Sequence, residues 1–320
     1  MVSARIIEKN NCNYNLWDHI CTQTCICIEQ FGLFSSKNIV VGLSGGKDSS
    51  LLTFVLRELG YNVHPVVVDM GYIGFESKSI QAVFKSKGIM VEIIDAKQSC
   101  KELPDNSRVY LTKLIKSLHE DELETPCTYC SMVKRTLLSN YASSLGMAEV
   151  AYGHHRDDII STMLKDYYIF LYYKEHGKYN ADTFRDFVNS VDPNIRSIEK
   201  LINEQLVGTM SISVADRITN TKIVRPFANV SEVSIKKCVS SIGFSPLSSG
   251  CSHEVFQNGN LQPITKREIV HSKTLTLCED EKLSDSLILT AMKCLDASGT
   301  SLYNPRAIRQ KLYPGFEDEL

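Results

Sequence analysis

The sequence of 320 residues lacks several features that mark particular classes of protein. It has no run of 18 apolar residues, so it predicts no membrane span. Glu8, Asp18 and three asparagines near the start are not typical of a signal peptide, so none is expected. It shows no internal repeat and no low-complexity segment. A net charge of −2 gives no overall basic signal for a nucleic-acid partner, although a local basic face is compatible with it.

The composition predicts a folded chain from a reducing compartment. The hydrophobic fraction of 43% is ample for a core, which argues against disorder. Eleven cysteines are many for a chain of this size, but disulfides are not expected if the protein is cytoplasmic, as we predict. Most of these cysteines are therefore expected to be small buried apolar residues.

One stretch, residues 39–50, organises the rest of the sequence. The apolar run Ile39–Leu43 predicts a buried strand, and leucines at helical spacing begin at Leu51. Between them lies a turn of small residues, so backbone N–H groups at a helix N-terminus are expected to converge on one point, which suits an anion. The turn also carries hydroxyl donors and one positive charge. The expected anion-binding residues are Ser44, Gly45, Gly46, Lys47, Asp48 and Ser49.

The spacing of this turn excludes the common P-loop, which needs four residues between its first glycine and Gly-Lys-Ser/Thr. The flanking sequence alternates strand, helix, strand, helix, strand within residues 39–94. That alternation predicts an α/β fold with a doubly wound parallel sheet, to which residues 149–152 and 222–224 add a fourth and a fifth strand. Asp69 ends the second strand, where it is predicted with equal weight to hold ribose or magnesium or to make a turn.

Changes in composition and hydrophobic pattern along the sequence predict that the chain has three parts. An N-terminal helical segment covers residues 1–37, with a helix at about 14–32. The main α/β domain covers residues 38–260 and includes a helical insertion at about 165–220, and a C-terminal helical extension covers residues 261–320. A cluster of aromatic residues at 167–173 is compatible with base stacking, but core packing is the stronger expectation.

Cys127 and Cys130 form a Cys-x-x-Cys pair that is compatible with zinc, redox chemistry or an iron–sulfur cluster. No second pair follows at zinc-ribbon spacing. Cys251, in a loop that begins with glycine, is a candidate third ligand, and three thiolates can hold a [4Fe-4S] cluster with one iron left open. Spacing alone does not decide between these alternatives.

The six residues Ser44–Ser49 resemble the PP-loop of the ATP pyrophosphatase superfamily, whose members cleave ATP between the α- and β-phosphates and adenylylate a substrate. With Cys127-x-x-Cys130, Gly153–Asp158 and Val224-Arg225-Pro226, they resemble the tRNA 2-thiocytidine synthetase group of tRNA thiolation enzymes. The resemblance implies that Cys127, Cys130 and Cys251 hold a [4Fe-4S] cluster. The sequence departs from that group in having a single cysteine at position 251, in the insertion, and in its last 60 residues.

The resemblance implies an ATP-dependent sulfurtransferase with defined residue roles. Lys47 and Lys134 or Arg135 are expected to neutralise charge on the phosphates. Asp48 is the nearest candidate ligand for Mg²⁺. Asp157 and Asp158 are expected to act as a base or as magnesium ligands, the alternative being acids that complement a helix dipole. Gly153, His154 and Asp69 are expected to line the nucleotide site.

The expected partners are a tRNA or another nucleic acid and a sulfur donor, either a cysteine desulfurase or sulfide, with a homodimer as a candidate assembly. Three other readings stay open. The enzyme sulfurates DNA or a small molecule; it is an adenylating ligase or amidotransferase in which Cys127 and Cys130 hold structural zinc; or the protein is a non-catalytic sensor. Intact Lys47 and Asp48 argue against the sensor.

Overall fold

The structure is a computed structural model that describes residues 14–71, 75–102, 126–177, 180–216, 218–247 and 266–302. The chain divides into two compact units. The first unit contains residues 1–153 and 214–258, and the second contains residues 154–213 and 259–320. Most of the predicted insertion therefore falls in the same unit as the whole of the predicted C-terminal extension. The domain boundaries drawn from the sequence stay predictions.

Within the described residues, the sheet has six strands in the order β3-β2-β1-β4-β6-β5. The pairs β3–β2, β2–β1, β1–β4 and β4–β6 are all parallel, as the doubly wound prediction requires. The strands are β1 Asn38–Gly42, β2 Asn62–Asp69, β3 Glu92–Asp95, β4 Glu149–Ala151, β5 Ser213–Asp216 and β6 Thr221–Val224.

The predicted count of five strands is one too low. The additional strand, β5, lies at an edge of the sheet beside β6, inside the stretch that was predicted to be helical. Its four residues are too few to display the alternation of a strand, and pairing with β6 supplies the stabilisation that local sequence does not.

The helices cover both units. They are α1 Tyr14–Gln30, α2 Lys47–Glu58, α3 Ser77–Ser86, α4 Ala96–Glu102, α5 Pro126–Ser144, α6 Arg156–His176, α7 Ala181–Ser190, α8 Ile195–Asn203, α9 Glu232–Ser241, α10 Lys266–Leu277 and α11 Glu281–Met292. The helix expected at about 14–32 is confirmed by α1. The sequence also predicts a helix at 233–242, which α9 confirms, and one at about 107–119, which lies outside the described residues.

The first unit covers both faces of its parallel sheet, because the apolar runs of β1 and β2 leave no polar face. On one side, Val40 and Val68 belong to a buried cluster with Val133 and Leu137 of α5. Elsewhere in the unit, Phe54 of α2 stacks on Phe84 of α3 with ring centroids 5.3 Å apart. Such continuous apolar strands are typical of parallel sheets.

The regular secondary structure of the second unit is helical within the described residues. The exceptions are Ser213, which begins β5, and an isolated bridge between Leu295 and Ser301. Helix α6 of this unit buries Tyr167, Tyr168 and Tyr172 almost completely. The ring of Tyr172 stacks on His176 at 4.4 Å and meets Phe184 edge-on at 5.2 Å. These tyrosines are therefore core residues, which confirms the expectation of packing over base stacking.

None of the helices within the described ranges combines the length and apolarity that a membrane-spanning helix needs.

A buried carboxylate ties the segment before β1 to the start of β4. Glu149 is 2% exposed, and its Oε1 accepts hydrogen bonds from the Ser35 N–H at 3.0 Å and the Ser35 hydroxyl at 2.7 Å. Hydrogen bonds to a buried charged group are among the stronger ones, because the group is costly to leave unsatisfied.

We expect Glu149→Ala to lower the free energy of unfolding of the first unit by about 2 kcal/mol, or its melting temperature by roughly 4–8 °C. Ser35 would lose both bonds and the site would keep a cavity. Glu58→Ala, at an exposed position near the end of α2, is the matched control and should change the melting temperature by less than about 2 °C. Equal melting temperatures for the two variants would contradict this account.

Candidate nucleotide-binding site

The loop between β1 and α2 lies at the carboxyl edge of the sheet. Leu43 continues β1 by donating its N–H to the Val66 carbonyl at 2.8 Å, and α2 begins at Lys47. The order of the strands reverses between β1 and β4, since β2 and β3 lie on one side of β1 and β4 and β6 on the other. In doubly wound sheets, ligands bind outside the carboxyl ends of the strands at this reversal.

Two serines hold the loop closed. The Ser44 N–H donates to the Ser49 hydroxyl at 3.1 Å, and the two hydroxyls lie 3.0 Å apart. The Gly46 N–H also faces the Ser44 hydroxyl at 3.4 Å. The loop therefore folds back on the first turn of α2, where N–H groups lack carbonyl partners within the helix and attract anions.

Two glycines have no room for a side chain. Gly45 has a φ of +80°, and a Cβ there would lie 2.8 Å from the Cδ1 of Ile80. Gly153 follows β4, and its Cβ would lie 2.7 Å from the backbone N of Ser49 and 2.8 Å from the carbonyl carbon of Asp48. The chain after β4 thus packs directly on the backbone of the first turn of α2, as close approach at a glycine allows.

Lys47 lies between two carboxylates. Its Nζ is 3.0 Å from Oδ2 of Asp48 and 3.1 Å from Oε1 of Glu232, at the start of α9. Burial by itself lowers the pKa of Lys47, but the two carboxylates outweigh burial and raise it above its usual range. The ammonium group is therefore charged throughout the physiological range of pH.

Asp69 lies at the carboxyl end of β2, as predicted, and both of its oxygens accept hydrogen bonds. Oδ1 accepts from the Gly71 N–H at 2.8 Å, and Oδ2 accepts from the Ser77 hydroxyl at 2.6 Å. These are the bonds of a turn that leads into α3. A place for Asp69 in the nucleotide site stays a prediction, and these contacts favour the alternative of a turn residue.

Helix α5 carries two basic residues of the first unit. Lys134 and Arg135 lie in it and are half-buried. Arg135 and Arg225, which directly follows β6, both act on the buried hydroxyl of Tyr152. Burial raises the pKa of Tyr152, although the two guanidinium groups oppose that rise, so the phenol remains protonated. Tyr152 and Arg225 both follow strands at the carboxyl edge.

Of the three predicted cluster ligands, the structure describes the side chain of one. Cys130 lies in the first turns of α5, half-buried against the cluster that contains Val68 and Met70. Position 127 lies one helical turn before it in the same helix. Cys251 lies outside the described residues. Among the residues whose side chains are described, no group of three His, Cys, Asp or Glu side chains has the arrangement of a metal site.

Four further cysteines among those described behave as structural residues. Burial raises the pKa of Cys27 to about 12 and that of Cys238 to about 11. In the second unit, burial raises the pKa of Cys278 and of Cys294 to about 12, and the charge of Asp157 contributes to that of Cys278. A thiol that stays protonated is a poor nucleophile and a poor metal ligand.

The residues His154–Asp158 belong to the second unit, at the start of α6. Oδ2 of Asp158 accepts a hydrogen bond from the His155 N–H at 3.0 Å, which closes the N-terminus of the helix. Asp157 is 2% exposed and lies between His155, 3.7 Å away, and Arg156. Catalytic action by these two acids stays a prediction, and these contacts are those expected of acids that stabilise a helix start.

Sequence reasoning missed Glu232. In the sequence it reads only as an acid at the start of a helix, after the N-cap Ser231, because nothing local indicates that the helix begins beside Lys47. Tyr152 was predicted only as the end of a strand, since the effect of Arg135 and Arg225 on its hydroxyl depends on how α5 and β6 pack beside β4.

The chain is similar to one protein family and to named tRNA-modifying relatives. Residues 38–162 match the family model described as queuosine biosynthesis protein QueC. The chain is 31% identical over 143 residues to the tRNA-5-methyluridine(54) 2-sulfurtransferase of Pyrococcus horikoshii. It is 30% identical over 168 residues to the tRNA-cytidine(32) 2-sulfurtransferase of Acidovorax ebreus. These alignments cover 43% and 50% of this chain, and 42% and 48% of the relatives, so the chain spans less than half the length of either.

A solved structure shares the fold. The U34-tRNA thiolase NcsA from Methanococcus maripaludis, solved with its [4Fe-4S] cluster, superposes with a TM-score of 0.53 at 18% identity over 90% of this chain and 86% of that one. This likeness shows the fold: the chain is an α/β protein that shares its fold with that thiolase. The particular resemblance predicted from the motifs, to tRNA thiolation enzymes, is confirmed as well.

We expect Gly153→Ala to weaken ATP binding at least tenfold, because its Cβ would have to push backbone atoms of the first turn of α2 aside. Gly146→Ala is the control. A Cβ added at Gly146 would have no atom within 4 Å, so this variant introduces only the backbone strain of a side chain at φ +67°. Calorimetric titration with ATP measures both variants. The same affinity in Gly153→Ala as in the unmodified protein would refute the close approach.

Proposed function

We propose that this protein is an ATP-dependent sulfurtransferase that adenylylates a carbonyl oxygen of a nucleobase in tRNA and replaces that oxygen with sulfur. One observation carries the proposal: a serine-lined turn at the reversal of the sheet leads into the N-terminus of α2, whose first residue is Lys47. The names of the two sulfurtransferase relatives supply the type of reaction.

The residues of the turn suit the first step. The phosphates of ATP would lie on the first turn of α2, where N–H groups and the charge of Lys47 stabilise the negative charge that develops. A carbonyl oxygen of the base attacks the α-phosphate, and pyrophosphate leaves. The new bond turns a poor leaving group into AMP, which departs when sulfur takes the place of the oxygen. Asp48 would hold Mg²⁺ on the phosphate oxygens.

Cys127, Cys130 and Cys251 would hold a [4Fe-4S] cluster. The donor set fits such a group, since two cysteines lie one turn apart at the start of α5 and thiolates are the ligands these clusters take. With three protein ligands, the cluster supplies one iron that is open to an exogenous sulfur. Cys130 lies half-buried on apolar residues, and Leu247, four residues before Cys251, donates its N–H to the Gly45 carbonyl of the turn at 3.0 Å.

The substrate and the surroundings complete the proposal. Lys134 or Arg135, half-buried on α5, would join Lys47 in neutralising the charge that develops on the phosphates of ATP while the tRNA base reacts. We further propose a cytoplasmic reaction, a sulfur donor that is either a cysteine desulfurase or sulfide, and a homodimer.

We expect Lys47→Ala to lower ATP-dependent AMP formation at least 100-fold with an unchanged iron content, because the charge at the turn is lost while the cysteines are not touched. Lys237→Ala, an exposed lysine of α9, is the control and should keep full activity. The assay is anaerobic, with tRNA, and includes analysis of thiolated nucleosides by mass spectrometry. AMP formation that persists in Lys47→Ala would sink the assignment, and sulfur found only in DNA or a small molecule would correct the substrate.

We expect about four iron and four sulfide per chain after anaerobic purification, and the loss of most of that iron in Cys251→Ser. Cys25→Ser, on α1, is the control and should keep its iron, since Cys25 bonds only Glu29 of its own helix among the contacts described. Zinc without iron in the unmodified protein would reject the cluster and favour an adenylating enzyme with a structural metal.

A further inference from the structure

We infer that Glu232 is a positioning residue for Lys47, holding its ammonium group at the turn before ATP arrives. The inference rests on the proposed function, because it assigns Lys47 to the phosphates. Glu232 lies 184 residues after Asp48 in the sequence, and only the fold brings it beside Lys47.

The contact is short and shielded. Oε1 of Glu232 lies 3.1 Å from Nζ of Lys47, and the side chain of Glu232 is 6% exposed. The same Nζ lies 3.0 Å from Oδ2 of Asp48, the next residue of α2. Lys47 is itself 26% exposed at its side chain, so a ligand can still reach it. An ion pair in such surroundings is weakly screened by salt.

Glu232 is well anchored for this task. It is the first residue of α9, where a carboxylate complements the helix dipole, and the Ser231 hydroxyl accepts the Ser234 N–H to cap the helix. On the solvent side, Nζ of Lys236 lies 3.0 Å from the same Oε1. The carboxylate thus lies between Lys47, which is half-buried, and Lys236, which is exposed and adds little to its anchoring, as surface ion pairs do.

The same segment touches the turn a second time. After α9, Phe244 meets Phe54 of α2 edge-on with centroids 5.6 Å apart, and the Leu247 N–H donates to the Gly45 carbonyl. Helix α9 and the residues that follow it are therefore fixed against both the turn and α2, so Glu232 offers Lys47 a rigid partner.

A fixed partner matters because a lysine side chain has many rotamers. The side chain must lose this rotamer freedom before the ammonium group can meet the charge that develops on the phosphates. Two carboxylates that hold Nζ at the turn remove part of that loss in advance, as preorganised groups do. Since backbone N–H groups also bind the phosphates, the benefit falls on the reaction step more than on the affinity for ATP.

The kinetic test compares Glu232→Gln, Glu232→Asp and Lys236→Met for AMP formation. We expect Gln and Asp to lower kcat about tenfold or more and to change KM for ATP less than about threefold. Aspartate keeps the charge and the helix start but withdraws the carboxylate by about 1.5 Å. A purely structural acid would therefore be replaced by aspartate without loss. Lys236→Met, on the solvent side, should stay within about twofold of the unmodified protein.

A second measurement does not need activity. An amine-reactive reagent followed by peptide mass spectrometry gives the labelling rate of Lys47 relative to Lys200, which is 75% exposed and serves as internal reference. We expect Lys47 to be labelled at least about threefold faster in Glu232→Gln and Glu232→Asp, where the amine is released, and no faster in Lys236→Met.

The outcomes separate the two proposals. Equal labelling rates and equal kcat in the unmodified protein, Glu232→Gln and Glu232→Asp would overturn the inference about Glu232. Labelling of Lys47 in the unmodified protein that ATP does not slow, together with no AMP formed, would refute the proposed function, while the labelling rates without ATP would still decide whether Glu232 holds Lys47.

Discussion

The close approach of Gly153 to the first turn of α2 is the constraint on which the site depends. β1 and β4 are neighbours at the reversal of the sheet, so the chains that leave their carboxyl ends must share one narrow space. A glycine after β4 lets the backbone pass within van der Waals distance of Ser49 and Asp48. The turn is thereby supported from the side of β4, and its own serines close it from within.

Charge balance is the second feature of the site. Two carboxylates, Asp48 and Glu232, and two ammonium groups, Lys47 and Lys236, form a neutral group at the turn when no ligand is bound. A buried lysine without such partners would tend to lose its proton, because desolvation disfavours the charged form. The arrangement keeps Lys47 charged in a half-buried position, which is the state that a phosphate requires.

The cysteines divide by environment. Burial raises the pKa of the thiols of Cys27, Cys238, Cys278 and Cys294, so these four serve the cores of their units. Cys130 differs in its place, at the start of a helix that packs on β1 and β2. The high cysteine content of the chain is thus mostly a packing property, and only a small subset bears on the proposed chemistry.

The sequence by itself determined the class of fold and the position of the turn, because apolar strands, helical spacing and a Ser-Gly-Gly-Lys-Asp-Ser turn are local patterns. It also predicted the burial of Tyr168 and Tyr172. It missed β5, whose four residues acquire their conformation by pairing at a sheet edge, and it did not reveal Glu232 as a neighbour of Lys47. Those contacts depend on strand order and on where helix α9 begins, and such long-range relations are decided only by tertiary packing.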